Sequence, residues 1–166
     1  VIDGANRKWF ATNDNGVYLV SSNNIEELQH FTAENSPLLS NTIESIAINE
    51  TTGEVFFATD NGLCSYMSDA TKAVDSPNDE TTYAYPNPVK PGYTGPITIV
   101  GLSLNVDVKI VTTNGVLVAE GTSNGGSFVW DGKDKNGKRV ASGVYMVQTA
   151  DENGDNGTVC KVAVVN

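Results

Sequence analysis

Trp9-Phe10-Ala11-Thr12-Asn13-Asp14-Asn15-Gly16-Val17 returns within the same chain as Phe56-Phe57-Ala58-Thr59-Asp60-Asn61-Gly62-Leu63. The spacing between the two copies is 46 to 47 residues. Each copy reads as an aromatic strand, an Asn-Gly turn that accepts φ > 0, and a short return strand, Val17-Tyr18-Leu19-Val20 in one and Leu63-Cys64-Ser65-Tyr66 in the other. That pattern is a β-hairpin. Leu28 to Phe31 and Ile43 to Ile48 supply further strands, so the reading is four short strands per repeat. A four-stranded unit with this period describes a blade of a β-propeller.

The rest of the chain is read outward from this repeat. Residues 68–82 offer little that could fill a core and read as a linker. Beyond it, strands are expected at Thr82 to Tyr85, Ile97 to Val100, Val106 to Thr112, Leu117 to Gly121, Ser127 to Trp130, Val144 to Thr149 and Thr158 to Val165. Alternation marks Val106, Val108 and Ile110 in one strand and Val144 and Met146 in another, and turns fall at Asn114-Gly115, Asn136-Gly137 and Asp151 to Gly157. Seven strands at this spacing suggest an immunoglobulin-like sandwich, with Trp130 in its core and Gly143 relieving crowding where the next strand begins. The expected fold is therefore all-β: a partial propeller of about one and a half blades over 1–67, the linker over 68–82, and a seven-stranded sandwich over 83–166. The sandwich should fold alone and the incomplete propeller should not, because stacked blades need neighbours.

Composition narrows the function classes. Ten Lys and Arg stand against 20 Asp and Glu, a net charge of −10, which argues against nucleic acid as a partner. No apolar run is long enough for a spanning helix. The chain opens at Val1-Ile2-Asp3 without Met and is expected to be a piece of a longer protein, leaving secretion open. Cys64 and Cys160 lie 96 positions apart with no CxxC, which suits no zinc spacing. Each reads as a buried thiol, and a single bridge between them stays open for an oxidising compartment.

His30 is the lone histidine, reads as a solvent-facing strand residue, and has no GxSxG nucleophile signature near it. Neither a Walker A loop nor GxGxxG is present, since Gly121, Gly125 and Gly126 have the wrong spacing. Two acidic turns fail as calcium loops. Asp131 to Gly137 holds two lysines and has glycine where a carboxylate is needed, and Asp151, Asn153 and Asp155 are followed by Asn156 instead of glycine. No enzyme, cofactor or metal site is read. One feature departs from the overall acidity: Lys133, Lys135, Lys138 and Arg139 place four cations within seven residues, offset in sequence by Asp134. The choice is between a solvated turn and an anion-binding loop, in which Arg139 offers a bidentate fork and the lysines offer point charges. Residues 1–72 carry three cations and ten anions, a balance of −7, while residues 73–166 carry seven and ten, a balance of −3.

Asn41 to Ala47 followed by Gly53 to Leu63 resembles the two-component-regulator propeller repeat. Tyr85-Pro86-Asn87-Pro88, Trp130-Asp131-Gly132-Lys133-Asp134-Lys135-Asn136-Gly137-Lys138-Arg139 running on to Tyr145, and the closing Cys160 to Val165 are together similar to the immunoglobulin-like domain of flagellar hook-capping proteins. They are similar also to the C-terminal sorting domains of the type IX secretion system. Propeller followed by sorting-domain-like sandwich resembles the components of that system's cell-surface attachment complex. The resemblance implies a non-enzymatic protein, associated with the outer membrane of a Gram-negative bacterium, that docks other secretion and attachment proteins or anionic lipopolysaccharide. Two alternatives share parts of the pattern: a periplasmic glycan-sensing propeller of a hybrid two-component regulator, and a secreted cargo with a cleavable sorting domain. A bare propeller edge within residues 43–67 also predicts self-association of this stretch.

Overall fold

A computed structural model describes residues 1–78, 80–150 and 156–166, the side chains of Asn156 and Thr158 excepted. The chain divides into two compact units, Val1–Lys72 and Ala73–Asn166, and every described strand lies in an antiparallel sheet of three or four strands. The turn between residues 151 and 155, and with it the Asp151, Asn153 and Asp155 alternation, lies outside the described residues.

In the first unit, β1 (Lys8–Ala11), β2 (Val17–Val20) and β3 (Glu27–Phe31) form one sheet in that order, and β4 (Ile43–Asn49), β5 (Glu54–Thr59) and β6 (Gly62–Met67) form another. Three strands replace the expected four. Next to β1 the missing strand is reduced to a single bridge between Ile2 and Lys8, and among the described residues nothing pairs with the outer edge of β6. The two copies of the repeat share their turn chemistry. Thr12 Oγ1 donates to Gly16 O at 2.7 Å and accepts from Asn15 N, and Thr59 Oγ1 donates to Gly62 O at 2.9 Å and accepts from Asn61 N. Gly16 and Gly62 take positive φ of 69° and 128°. The first turn is one residue longer, yet the strands pair in the same register, Ala11 opposite Val17 in one copy and Ala58 opposite Leu63 in the other. The buried face is nevertheless inverted: Trp9 is buried and Phe10 exposed, whereas Phe57, the counterpart of Phe10, is buried.

The core of this unit gathers Trp9, Val17, Leu19, Ile43, Val55 and Phe57, with Phe31 and Tyr66 packed against it. Trp9 is its centre, with ring centroids 6.0 Å from Phe31, 5.9 Å from Phe57 and 6.1 Å from Tyr66. A buried polar cluster adjoins it. The Asp3 carboxylate accepts from Arg7 Nε at 2.7 Å, Trp9 Nε1 at 3.1 Å and the backbone N–H groups of Ala5 and Arg7, and Arg7 reaches on to Ser68 Oγ and Asp69. Every lone pair of the buried carboxylate is thus used, which is what makes burying the charge tolerable.

The division between the two units falls within the expected linker, 68–82. Ser68, Ala70 and Thr71 are buried in the first unit and Lys72 N donates to Glu50 O, while Val74 N donates to Leu102 O and Thr82 is buried with its Oγ1 on Gly101 O. Of these buried hydroxyls, Ser68 Oγ and Thr82 Oγ1 have partners, whereas Thr71 Oγ1 has none among the described residues.

The second unit holds β7 (Tyr83–Tyr85), β8 (Ile97–Val100), β9 (Asp107–Thr112), β10 (Leu117–Thr122), β11 (Ser127–Trp130), β12 (Gly143–Ala150) and β13 (Asn156–Val164). One sheet runs β10-β9-β12-β13 and the other β11-β8-β7. Ile97, Ile99, Val108, Ile110, Trp130, Tyr145, Val147 and Val162 belong to a single core. Within β12 the buried face is Tyr145 and Val147, and Val144 is exposed, which inverts the alternation expected at Val144 and Met146. Tyr145 can turn inward because its hydroxyl donates to Ala141 O at 2.8 Å and its ring meets Trp130 edge-on at 5.5 Å. Gly143 is exposed and relieves no crowding; a Cβ there would meet only the Tyr145 ring at 3.9 Å. In Tyr85-Pro86-Asn87-Pro88 both prolyl bonds are cis, and the Asn87 amide donates to Lys161 O and accepts from Ala163 N, covering the backbone of β13 as a strand would.

Candidate functional site

The basic segment connects β11 to β12 as a compact double turn. Its root is Trp130, whose Nε1 donates to Lys133 O at 2.9 Å and so ties the loop to the core. Asp131 Oδ1 accepts from Lys133 N, and Asp134 Oδ1 accepts from Asn136 N and Lys138 N at 2.9 and 3.0 Å, the Asx-turn geometry that short carboxylates favour. Backbone bonds from Asp134 N to Lys138 O and from Val140 N to Gly132 O close the turn, so that Lys133 and Arg139 face each other as a bridged pair. Gly132 permits this: its φ is +71°, and a Cβ there would lie 2.5 Å from Arg139 Nη1. The guanidinium lies across the space that a side chain at 132 would fill.

All four predicted cations therefore meet on one loop, yet they are not equivalent. Lys133 pairs with Asp131 at 3.5 Å and Lys135 with Glu120 at 3.4 Å. Lys138 is exposed, Arg139 half-buried, and neither makes an ion pair with a described residue. Asp131 and Glu120 form the ion pairs, whereas Asp134, whose Oδ1 accepts from two backbone N–H groups, makes none with a described residue. Glu120 sits 15 residues from Lys135 in sequence, on β10, where nothing local signals the pairing. Beside the loop, a shallow groove of about 460 Å³ is lined by Pro96, Ala119, Glu120, Phe128, Trp130 and Asp131. The charged residues that line the groove are the carboxylates Glu120 and Asp131, over an apolar floor, and Lys138 and Arg139 are not among its lining.

Elsewhere, His30 is not a plain solvent-facing residue. Its ring stacks on Tyr18 at 3.9 Å and its Nε2 lies 2.7 Å from Asn15 O. It borders a second groove of about 430 Å³, floored by Phe31, Leu38, Phe57 and Tyr66, that no motif signalled. Cys64 and Cys160 are both free thiols, each half-buried, and burial pushes the Cys160 thiol up to about 11. Among the described residues no group of three or more His, Cys, Asp or Glu is placed to hold a metal ion, and no helix is long and apolar enough to cross a membrane.

No family model and no curated protein matches this sequence. Among solved structures the likeness is definite. Over its full length this chain is similar to PorZ. The structure is that of PorZ described as an essential bacterial surface component of the type-IX secretion system of Porphyromonas gingivalis. Identity is 37 %, the TM-score is 0.63, and the match covers 100 % of this chain and 22 % of PorZ. The chain thus spans about a fifth of the length of PorZ. Dimeric latent PorU of the same organism matches 68 % of this chain and 12 % of its own at 22 % identity, with a TM-score of 0.38.

Proposed function

We propose that this chain is part of a non-enzymatic surface component of a type IX secretion and attachment machinery, held at the outer membrane of a Gram-negative bacterium. Its first unit is read as blades of a β-propeller and its second as an immunoglobulin-like sandwich related to sorting domains. The observation that carries this reading is the likeness to PorZ along the whole chain, at 37 % identity. Within that role, the loop from Lys133 to Arg139 docks anionic lipopolysaccharide: Lys138 and Arg139 supply the uncommitted positive charge, and Glu120, Asp131 and the adjoining groove receive neutral sugar hydroxyls.

The test replaces Lys133, Lys135, Lys138 and Arg139 together with Ser. The three lysines are exposed, and such substitutions rarely cost more than about 0.5 kcal/mol each. Arg139 is half-buried against Gly132, so a circular dichroism melt accompanies the binding assay to show that the variant is folded. Retention on immobilised anionic lipopolysaccharide should fall, and wild-type retention should weaken as salt rises, because exposed charges are screened over about 8 Å at physiological ionic strength. Unchanged retention by the folded variant would reduce the loop to a solvated turn.

A further inference from the structure

We infer that Tyr83, Tyr85 and Lys161 form a binding site for an acidic oligosaccharide on the second unit, in which the two rings stack on successive sugars and the ammonium holds an acid group. The site shares no residue with the loop from Lys133 to Arg139 and does not depend on it.

The pairing of β7 places the two rings. Tyr83, Ala84 and Tyr85 lie opposite Val100, Ile99 and Thr98, and side chains alternate along a strand, so with Ala84 buried in the core both tyrosines stand on the outer face. They are 55 % and 40 % exposed, with ring centroids 6.3 Å apart and planes inclined by 40°. Neither phenol hydroxyl has a partner among the described residues. Two flat apolar faces with polar tips, held side by side on one strand, match the apolar face and hydroxyl rim of a sugar ring. Few rotatable bonds are frozen when they do so.

A groove of about 530 Å³ adjoins them, lined by Thr82, Tyr83, Asn87, Cys160 and Lys161 among others, within the roughly 300–1,000 Å³ of small-ligand sites. Most of its polar groups are spent on the fold. Thr82 Oγ1 donates to Gly101 O, and the Asn87 amide donates to Lys161 O and accepts from Ala163 N. Lys161 is exposed and makes no ion pair with a described residue, so its ammonium and the tyrosine rings are what a ligand meets. No carboxylate lines this groove, in contrast to the one beside the basic loop, which Glu120 and Asp131 line. In a chain of net charge −10, an uncommitted cation in such a setting selects an anion. The edge of β13 at which an extended peptide would pair is already covered by Asn87, so the ligand is held by ring faces and not by a backbone ladder.

The experiment is an amide NMR titration of this chain with tetragalacturonate, in which the same spectra show that each variant is folded. Saturable shifts are expected at β7 and around Lys161. Tyr83→Leu and Tyr85→Leu keep apolar bulk but lose the flat ring, and each should weaken binding by about fivefold or more, whereas Tyr83→Phe should change it by less than about twofold. Lys161→Gln should weaken it by about threefold or more, the scale of one exposed ion pair, and leave the affinity for the methyl-esterified tetrasaccharide unchanged. The variant with Lys133, Lys135, Lys138 and Arg139 replaced should bind tetragalacturonate as the wild type does, so that either site can fail without the other. Undiminished binding by both leucine variants would overturn the inference. Equal affinity for tetraglutamate would do the same by marking a site for acidic peptides, and loss of binding in the loop variant by placing the oligosaccharide there.

Discussion

Removing the Trp130 side chain tests the second unit at its most filled point. The indole is only 2 % exposed, packs edge-on against Tyr145 at 5.5 Å, and holds Lys133 O at 2.9 Å. Trp130→Ala should cost about 3–5 kcal/mol, combining the lost transfer of a large apolar group with the cavity left among Ile97, Val140 and Tyr145. The lost hydrogen bond adds little, because Lys133 is exposed and water can replace the indole N–H at its carbonyl. Trp130→Phe keeps much of the volume, so its cost should fall well below that of the alanine variant. Urea melts followed by circular dichroism suit the question, since the chain has two tryptophans and the one left in the variant, Trp9, lies in the other unit. In Trp130→Ala the remaining emission reports the first unit, and circular dichroism reports both. A loss below about 1 kcal/mol would refute the placement of Trp130 as the centre of packing.

Further outcomes follow from the same geometry. Asp3→Ala leaves the buried Arg7 with Asp69 and Ser68 alone and removes the partner of Trp9 Nε1, and should destabilise the first unit by about 3 kcal/mol in denaturant melts. Gly16→Ala should cost more than about 1 kcal/mol, because φ there is +69° and a Cβ would lie 2.0 Å from Phe31 O. Cys160 keeps its proton in the folded chain to about pH 11, whereas an unfolded thiol loses it near pH 8.5. The folded state binds the extra proton in that window, so this group's contribution to stability is full at neutral pH and is lost as pH rises through the window. Iodoacetamide at pH 9 should accordingly modify Cys160 far more slowly in the folded chain than in urea, by peptide mass spectrometry.

Strand existence was legible throughout; strand phase was not. In Val144-Tyr145-Met146-Val147 every residue is apolar, so periodicity cannot tell the two faces apart. The hydroxyl partner that lets Tyr145 turn inward, Ala141 O, is a matter of three-dimensional reach. The Trp9 and Phe57 copies pair in the same register and differ in which face meets the core, which two aromatic neighbours in each strand leave undecided in sequence. The basic loop was visible because its four cations are adjacent in sequence. Its neutralising Glu120 belongs to another strand and had no local signal. The groove beside β6 was hidden for the same reason, since its floor is assembled from β3, β5, β6 and the segment before β4.

The Asp3–Arg7 cluster bears on the order in which the first unit comes apart. Arg7 reaches Ser68 across 61 positions, and Gly4 lies against the Thr71 carbonyl so closely that a Cβ would sit 1.9 Å away. A chain fastened in this manner cannot shed its second sheet while the first stays intact: pulling β6 loose drags on Ser68, and through Arg7 and Asp3 on Trp9, the residue at the middle of the aromatic packing. Local opening there is coupled to loss of the whole core, so the six strands should exchange their amide hydrogens as one cooperative body with no graded fraying from β6 inward.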